Sequence, residues 1–208
     1  PAQKWLYDLS TLMLNVFLKS NFYKAMHQLF RECAAFGTAA MLIDPNPETV
    51  IQCTTFTAGE YSIACNALGR CNMFGRNFYL TVKQLVDEFG LENCPEAVQN
   101  QYKAGNWMSY RKVHHYIGDN PDYSPSREQR STMRHMSVYW MDGMEKALRI
   151  DGYHEFPVIA PRWSVTGNDT YGSGPGWVAL AESKTLQTMR EDAMIAMKKS
   201  VDPPLIGT

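Results

Sequence analysis

The sequence predicts an α+β fold in which N-terminal helices pack on small antiparallel sheets and a long helix projects from the C-terminal end. Apolar residues recur at three- and four-residue spacings up to residue 36, as on one face of a helix. Short β-rich runs separated by turn signals then follow between residues 38 and 163. From Pro175 the pattern changes again, since the run from Trp177 to Ser200 contains neither glycine nor proline.

Two helices open the chain. The first is predicted over residues 3–18, where Trp5, Leu9 and Leu12 begin an apolar stripe. Ser20 and Asn21 provide capping side chains for the second helix, which we expect to end near Gly37. The apolar residues expected to share one face of this second helix are Phe22, Met26, Leu29, Phe30 and Cys33.

Four strands are predicted next, and their short connections favour a single antiparallel meander. Pro45 and Pro47 close the first strand, while Gly59 and Gly69 mark the turns before the third and fourth. The four predicted strands are residues 38–44, 50–56, 60–65 and 70–80.

A short helix should follow, because Thr81 and Gln84 stand at the spacing of a capping box and Gly90 occupies the place of a left-handed cap. Residues 94–105 predict another short helix, and residues 119–130 predict a polar loop. Further strands are predicted at residues 111–118, 136–142, 145–151 and 156–163.

The final helix should begin at Pro175, which suits the first helical position, and should stop at Asp202, ahead of two prolines. A helix from Trp177 to Ser200 would be roughly 36 Å long. A narrow apolar seam on a charged helix favours packing between like neighbours over burial in its own domain. The seam consists of Leu186, Met189, Ala193, Ala196 and Met197.

The composition excludes several classes of protein. With 45% hydrophobic and 20% charged residues the chain is not a disordered tail, and a net charge of −1 gives no global attraction to nucleic acid. Five cysteines without a C-x-x-C pair indicate reduced thiols. The apolar run near the start is too short to cross a membrane.

Neither catalysis nor metal binding has a clear sequence signal. His114 and His115 would point to opposite faces of a strand, so they cannot bind one ion together from that strand. His135 and His154 have no partners at zinc-site spacing, and neither G-x-S-x-G nor H-E-x-x-H occurs. The sequence therefore predicts a protein that is not an enzyme and has no cofactor.

The stretch YGSGPGW, residues 171–177, admits two interpretations. A phosphate-binding loop would present free backbone N–H groups at a helix start, but the glycine spacing fits neither nucleotide fingerprint and Pro175 removes one N–H group. The stretch therefore favours a joint over a phosphate cradle, and its structural context must decide.

Three segments in their order along the chain closely resemble the portal, or head-to-tail connecting, proteins of short-tailed bacteriophages. They are residues 20–44, 55–90 and 156–205. The most specific positions are Phe36-Gly37-Thr38, Gly59-Glu60-Tyr61, Gly69-Arg70, Phe89-Gly90, Pro161-Arg162-Trp163 and residues 171–176.

This resemblance implies that residues 1–165 form a wing-like α+β domain, that residues 166–202 form a hinge and stem helix, and that residues 203–208 enter a clip region. We expect the chain to be a fragment, because the rest of the clip, the returning stem helix and the crown are missing. The expected hinge, in which glycines free the backbone and proline fixes the helix start, consists of Tyr171, Gly172, Gly174, Pro175 and Gly176.

The implied function is structural. A dodecameric ring at one capsid vertex of the virion, assembled in the host cytoplasm, would conduct double-stranded DNA without sequence preference. Its other expected partners are terminase, tail or adaptor proteins, and capsid or scaffolding proteins, with no membrane. The candidates to face the DNA channel are Lys184, Arg190, Lys198 and Lys199, and those for packing between subunits are Leu186, Met189, Ala193 and Met197.

Two alternatives remain at this stage. A monomeric α+β binding module with a helical extension and no catalytic role would fold its last helix back on residues 1–165. An enzyme that uses the glycine loop for a phosphorylated ligand would bind nucleotide near Gly174.

Overall fold

The computed structural model describes residues 2–125 and 129–202, and it has the α+β architecture that the sequence predicts. The helices in these ranges are α1 (Ala2–Lys19), α2 (Phe22–Phe36), α3 (Val82–Phe89), α4 (Glu96–Lys103), α5 (Pro175–Val178) and α6 (Leu180–Val201). The strands are β1 (Ala40–Asn46), β2 (Val50–Phe56), β3 (Tyr61–Cys65), β4 (Cys71–Thr81), β5 (Tyr110–Asp119), β6 (His135–Trp140), β7 (Arg149–Tyr153) and β8 (Val158–Ile159).

The strands form two antiparallel sheets, so the prediction of a single meander was wrong. In the first sheet β1 lies between β2 and β8, and the second sheet has the order β3-β4-β5-β6-β7. The second edge of β1 pairs with β8, a strand far along the chain, where Leu42 lies opposite Val158. β2 is an edge strand of the first sheet, and β3 pairs with β4 in the second sheet instead of continuing the first after the turn at Gly59.

One core cluster joins the two sheets. Phe56 of the first sheet packs on Phe74 of the second, with ring centroids 5.2 Å apart. Burying a side chain of this size stabilises the fold by about 1.5–3 kcal/mol, so this contact is a substantial part of the attachment between the sheets. The other buried members are Ala40, Leu42, Tyr61, Ile63, Ile117 and Val158.

Helix α2 covers the outer side of the first sheet. Ala25, Leu29 and Cys33 are buried against that sheet. The prediction that Phe30 shares this face was wrong, since its side chain is 63% exposed. Phe30 lies about 100° around the helix from Leu29, which turns it towards solvent.

The start of α2 is held by the neighbouring sheet. The Asn21 side chain donates to the Cys53 carbonyl (2.7 Å) and accepts from the Cys53 N–H group (2.8 Å). Asn21 occupies the N-cap position, as predicted, but its side chain bonds to β2 and makes no capping bond. The Ser20 hydroxyl accepts from the Phe22 N–H group at 3.2 Å, as a capping side chain does.

Helices α3 and α4 pack on the second sheet. The predicted capping box is confirmed: the Thr81 hydroxyl accepts from the Gln84 N–H group (3.2 Å), and the Gln84 side chain accepts from the Thr81 N–H group (2.9 Å). Gly90 has the positive φ (82°) expected of a closing glycine, but its ψ of 147° takes the chain out of the left-handed helical region. Leu85 and Phe89 face the core that α3 shares with β5 and β6.

The later strands differ mainly in length from those predicted. β5 and β6 lie at the predicted places. The strand predicted at residues 145–151 is shifted towards the C-terminus as β7, and the strand predicted at residues 156–163 is shortened to β8. The predicted polar loop at residues 119–130 includes residues 126–128, which lie outside the described residues.

The C-terminal helical segment starts at Pro175 and ends at Val201, as predicted, with a one-residue turn at Ala179 between α5 and α6. The clip region expected at residues 203–208 lies outside the described residues. Within the described part of the chain, none of the helices combines the length and apolar character that crossing a membrane requires.

Candidate functional site

Several of the segments most specific to the family resemblance meet at one place, which we call the glycine joint. It comprises residues 171–176, the end of α2 with Gly37 and Thr38, and residues 162–164. The Trp163 N–H group donates to the Gly37 carbonyl (2.8 Å), and the Gly172 N–H group donates to the Thr38 hydroxyl (2.7 Å). These bonds attach the start of α5 to the body of the protein.

The glycines of the joint are required by close packing between backbones. A Cβ atom on Gly174 would lie 2.7 Å from the Gly37 nitrogen, and one on Gly176 would lie 2.5 Å from the Ala35 carbonyl oxygen. Gly174 has an ordinary extended backbone (φ −108°), and Gly172 and Gly176 also lie outside the positive-φ region. The reason for glycine at these positions is therefore absence of a side chain and not the backbone freedom expected from the sequence.

The glycine joint lacks the features of a phosphate cradle. The Gly172 N–H group bonds to Thr38, and the Ser173 N–H group donates to the Ser164 carbonyl (2.7 Å). Because these donors already have partners inside the protein, they cannot also surround a phosphate. The geometry thus favours the joint over the nucleotide-binding interpretation.

Two side chains extend the joint to the second sheet. The Tyr171 hydroxyl accepts from the Ile63 N–H group of β3 (3.1 Å). The Arg162 guanidinium donates to the Thr170 carbonyl (3.4 Å) and to the Gly69 carbonyl at the tip of the β3–β4 hairpin. The joint therefore connects α2, both sheets and the start of α5.

Helix α1 exposes an unusually large apolar surface, since it has no buried residue along its 18 residues. Its main described contact to the body is a stack of Phe17 on Phe22, with ring centroids 4.3 Å apart. Apolar surface of this extent marks an interaction site in soluble proteins. Its exposed large apolar side chains are Trp5, Leu6, Tyr7, Leu9, Leu12, Met13, Leu14 and Leu18.

Helix α6 is exposed along its whole length. Leu186 and Met189 of the predicted seam are 68% and 62% exposed, and Ala193 and Met197 are exposed as well. The sequence analysis missed Ile195, which lies about 180° around the helix from Leu186 and is 51% exposed. The signal in the sequence is the nine-residue spacing from Leu186 to Ile195, which places the two residues on opposite sides of a helix.

The four basic candidates on α6 are all exposed, and at 100° per residue all four fall within about half of the helix circumference. Lys198 and Lys199 point about 100° apart, and Lys184 and Arg190 about 120° apart. Lys184 lies within about 60° of both Lys198 and Lys199, so these three lysines share one helix face within one subunit.

His114 and His115 point to opposite sides of β5, as predicted. His114 lies in hydrogen-bond contact with Asn77 (2.6 Å) and Asp142 (2.9 Å) at the exposed side. His115 is 1% exposed and contacts the Ser137 hydroxyl at 2.9 Å. Among the residues described, no group of three or more His, Cys, Asp or Glu side chains is placed to hold a metal ion.

Burial, together with the positive charges of Arg76 and Arg149, lowers the pKa of His115 to about 2. The Arg76 Nε group donates to the His115 Nδ1 atom at 3.2 Å, so this nitrogen is an acceptor in the neutral ring. The imidazole also stacks on Tyr139, with ring centroids 3.8 Å apart. His115 is thus a neutral core residue.

A cleft of about 730 Å³ lies between the β1–β2 connection and the β6–β7 side of the second sheet. Both of its arginines are paired, Arg130 with Asp151 (3.2 Å) and Arg149 with Glu88 (2.9 Å), and Asp44 accepts from the Tyr153 hydroxyl (2.5 Å). Ion pairs formed within a cleft leave little net charge to attract a charged ligand.

The whole length of the chain matches a known family. A family model described as bacteriophage head to tail connecting protein matches residues 1–208. The chain belongs to this family. The match confirms the family identified from the order of the sequence segments, and head-to-tail connecting proteins are structural proteins of the phage particle.

Curated relatives support the same membership. The probable portal protein of Bordetella phage BPP-1 is 37% identical over 206 residues, which is 98% of this chain and 37% of the relative. The portal protein of Salmonella phage epsilon15 is 33% identical over 210 residues, covering 100% of this chain and 38% of the relative. The chain thus spans just over a third of the length of these head-to-tail connecting proteins.

The close packing of the glycine joint can be tested with Gly174→Ala. We expect the free energy of unfolding to fall by about 1–3 kcal/mol or more, because the added methyl group meets backbone atoms that cannot move aside. Gly75→Ala is the matched control, since the nearest atom to its Cβ position is 4.0 Å away and its φ is not positive. Equal losses in the two variants, measured by urea unfolding, would contradict the packing argument.

The depressed pKa of His115 predicts acid sensitivity. Between pH 6.5 and about 2 the unfolded state binds a proton at this site that the folded state does not, so stability falls as the pH falls through this range. We expect His115→Gln to reduce that pH dependence by up to about 1.4 kcal/mol per pH unit. Urea unfolding of both proteins at pH 6.5 and pH 5 measures this pH dependence. An imidazole signal of His115 that titrates near pH 6 would contradict the prediction.

Proposed function

We propose that this head-to-tail connecting protein acts as a portal subunit. Copies form a dodecameric ring at one vertex of the capsid, through which double-stranded DNA enters during packaging and leaves during ejection. The ring also docks the terminase and later the tail. The observation that carries the proposal is α6, a 22-residue helix with no buried residue and with apolar side chains on opposite sides.

A helix with an exposed apolar seam along its length fits a ring, because each member of a ring packs against its neighbours. Leu186, Met189, Ala193 and Met197 pack against one neighbouring helix in this arrangement. Ile195, on the opposite side, lies within about 60° of Lys184, Lys198 and Lys199 and faces the channel with them. The apolar seam that a single subunit leaves in water is then buried by assembly.

The division of the chain follows the same proposal. Residues 1–165 form the wing, and residues 166–202 form the hinge and the stem. Exposed apolar surface on α1 provides a second contact between subunits, distant in sequence from the stem. Two separate contacts per interface fix the orientation of neighbouring subunits better than one contact does.

The charge of the protein suits passage of DNA. Each lysine or arginine that holds a phosphate adds to affinity, so a strongly basic wall would retain DNA instead of letting it move. The net charge of −1 avoids this. Lys198 and Lys199, at the far end of the stem, are the basic residues that we assign to the channel, with Lys184 and Arg190 nearer its start.

The monomeric alternative, a binding module with a helical extension, requires α6 to fold back on residues 1–165. Every residue from 180 to 202 is exposed, which favours the ring. Multi-angle light scattering of this chain, and of any longer polypeptide that contains it, tests the choice. A species of about twelve subunits with a central hole in negative-stain images supports the portal, and a monomeric longer polypeptide at all concentrations overturns it.

Leu186→Asp should weaken ring assembly. A charge placed in the apolar contact between stems is buried without a partner, so we expect at least a tenfold rise in the concentration needed for assembly. Gln187→Asp is the matched control, because the same charge then lies about 100° away around the helix. Light scattering of both variants measures the effect, and equal assembly would place Leu186 outside the interface.

Reversing Lys198 and Lys199 to Glu should lower the yield of packaged DNA while rings still form, because two added carboxylates repel the phosphates in the channel. Lys83 and Lys103, both exposed on the body, provide a control with the same change of charge. The measurement is DNA protected from nuclease in particles assembled with each variant. An unchanged yield of packaged DNA would contradict the assignment of these lysines to the channel.

A further inference from the structure

We propose that Cys65 and Cys71 form a dithiol site that a low-molecular-weight disulfide, such as oxidised glutathione, converts to an intramolecular disulfide. The two residues lie directly opposite each other at the end of the β3–β4 hairpin. Both are free thiols and both are half-buried. The inference rests on the hairpin alone and is independent of ring formation.

The register of the hairpin brings the two cysteines within bonding reach. Directly opposed residues of antiparallel strands have Cα atoms about 4.5–5.5 Å apart, and disulfides span Cα distances of about 4.4–6.8 Å. A β-bulge shifts the register after the Ala64–Met73 pair, so that Cys71 and not Asn72 lies opposite Cys65. The bulge therefore creates the cysteine pair.

Both thiols lie on the same side of the sheet. Cys65 follows Ile63 by two residues in β3, which places it on the side of the core that joins the sheets. Cys71 packs against that same core cluster. Burial, together with the nearby Cys65 thiol, raises the pKa of Cys71 to about 11, as expected for neighbouring sulfur atoms.

The connection between the cysteines is already closed by hydrogen bonds. The Asn66 N–H group donates to the Arg70 carbonyl (2.9 Å), and the Asn66 side-chain oxygen accepts from the N–H groups of Leu68 and Arg70 (3.0 Å each). A loop held in this way keeps the two strand ends together without the disulfide. Oxidation therefore needs little movement of the backbone.

The other thiols provide an internal comparison. Cys33, Cys53 and Cys94 are 7%, 3% and 4% exposed, so a small disulfide reaches them less readily than it reaches the half-buried pair. Selective reaction at Cys65 and Cys71 is the expected result in the folded protein.

The proposed oxidation proceeds by thiol–disulfide exchange through a mixed disulfide. The thiolate of one cysteine attacks a sulfur of oxidised glutathione, which forms a mixed disulfide and releases one glutathione thiolate. The second cysteine thiolate then attacks the protein sulfur of the mixed disulfide and releases the second glutathione. In total the two protein thiols lose two electrons and two protons, and one molecule of oxidised glutathione becomes two of reduced glutathione.

The disulfide would stabilise the surroundings of the glycine joint. The hairpin tip carries the Gly69 carbonyl, which accepts from Arg162 of the joint. A covalent closure at Cys65 and Cys71 restricts the unfolded hairpin and keeps this carbonyl in place. Phage particles leave the reducing interior of the cell, and disulfides persist in the oxidising medium outside it.

Trypsin mapping tests the proposal directly, because Arg70 lies between the two cysteines. The folded protein is incubated with oxidised glutathione, free thiols are alkylated, and the digest is analysed by mass spectrometry without reduction. Trypsin separates residues 32–70 from residues 71–76. We expect these two peptides to remain joined by a disulfide and the oxidised protein to melt several degrees higher, a gain that dithiothreitol reverses.

Three variants assign the bond. Cys65→Ser and Cys71→Ser should each abolish the joined peptides. Cys53→Ala, which changes a cysteine on the same tryptic peptide as Cys65, should retain them. Joined peptides that persist in Cys65→Ser, or glutathione that stays on Cys65 or Cys71 of the wild-type protein as the final product, would overturn the proposal.

Discussion

Close approach of two backbones at the glycine joint is the constraint on which the arrangement of the structure depends. With no side chains at Gly172, Gly174 and Gly176, the chain lies directly against the end of α2. Hydrogen bonds from Trp163 and Gly172 then hold three distant parts of the sequence together. The direction in which α5 and α6 leave the body follows from this contact.

The body and the projecting helices are stabilised in different ways. In the body, three clusters of buried apolar residues lie within and against the two sheets. Helices α1 and α6 bury no residue, although both carry many apolar side chains. Most helical stability in proteins comes from packing of an amphipathic face. Their apolar surfaces are the ones that the proposed assembly would bury.

Local features of the fold could be predicted from the sequence, whereas contacts between distant segments could not. The capping box at Thr81 and Gln84 involves neighbouring residues, and β2 depends on a local β-rich pattern. The pairing of β1 with β8 joins residues more than a hundred positions apart, which periodicity cannot specify. For the candidate site, the glycine pattern indicated a joint, but a glycine needed for close packing looks the same in sequence as one needed for a turn. Ile195 was missed because only one side of α6 was considered.

The attachment of α6 also has a mechanical consequence. A helix of 22 residues is about 33 Å long, so it acts as a lever arm with its fulcrum at the joint. A rotation of about 5° at the fulcrum displaces the far end by about 3 Å, which is close to the width of a side-chain contact. A small shift caused by adding a methyl group at one of the three glycines would therefore be enlarged at Lys198 and Lys199, at the far end of the helix.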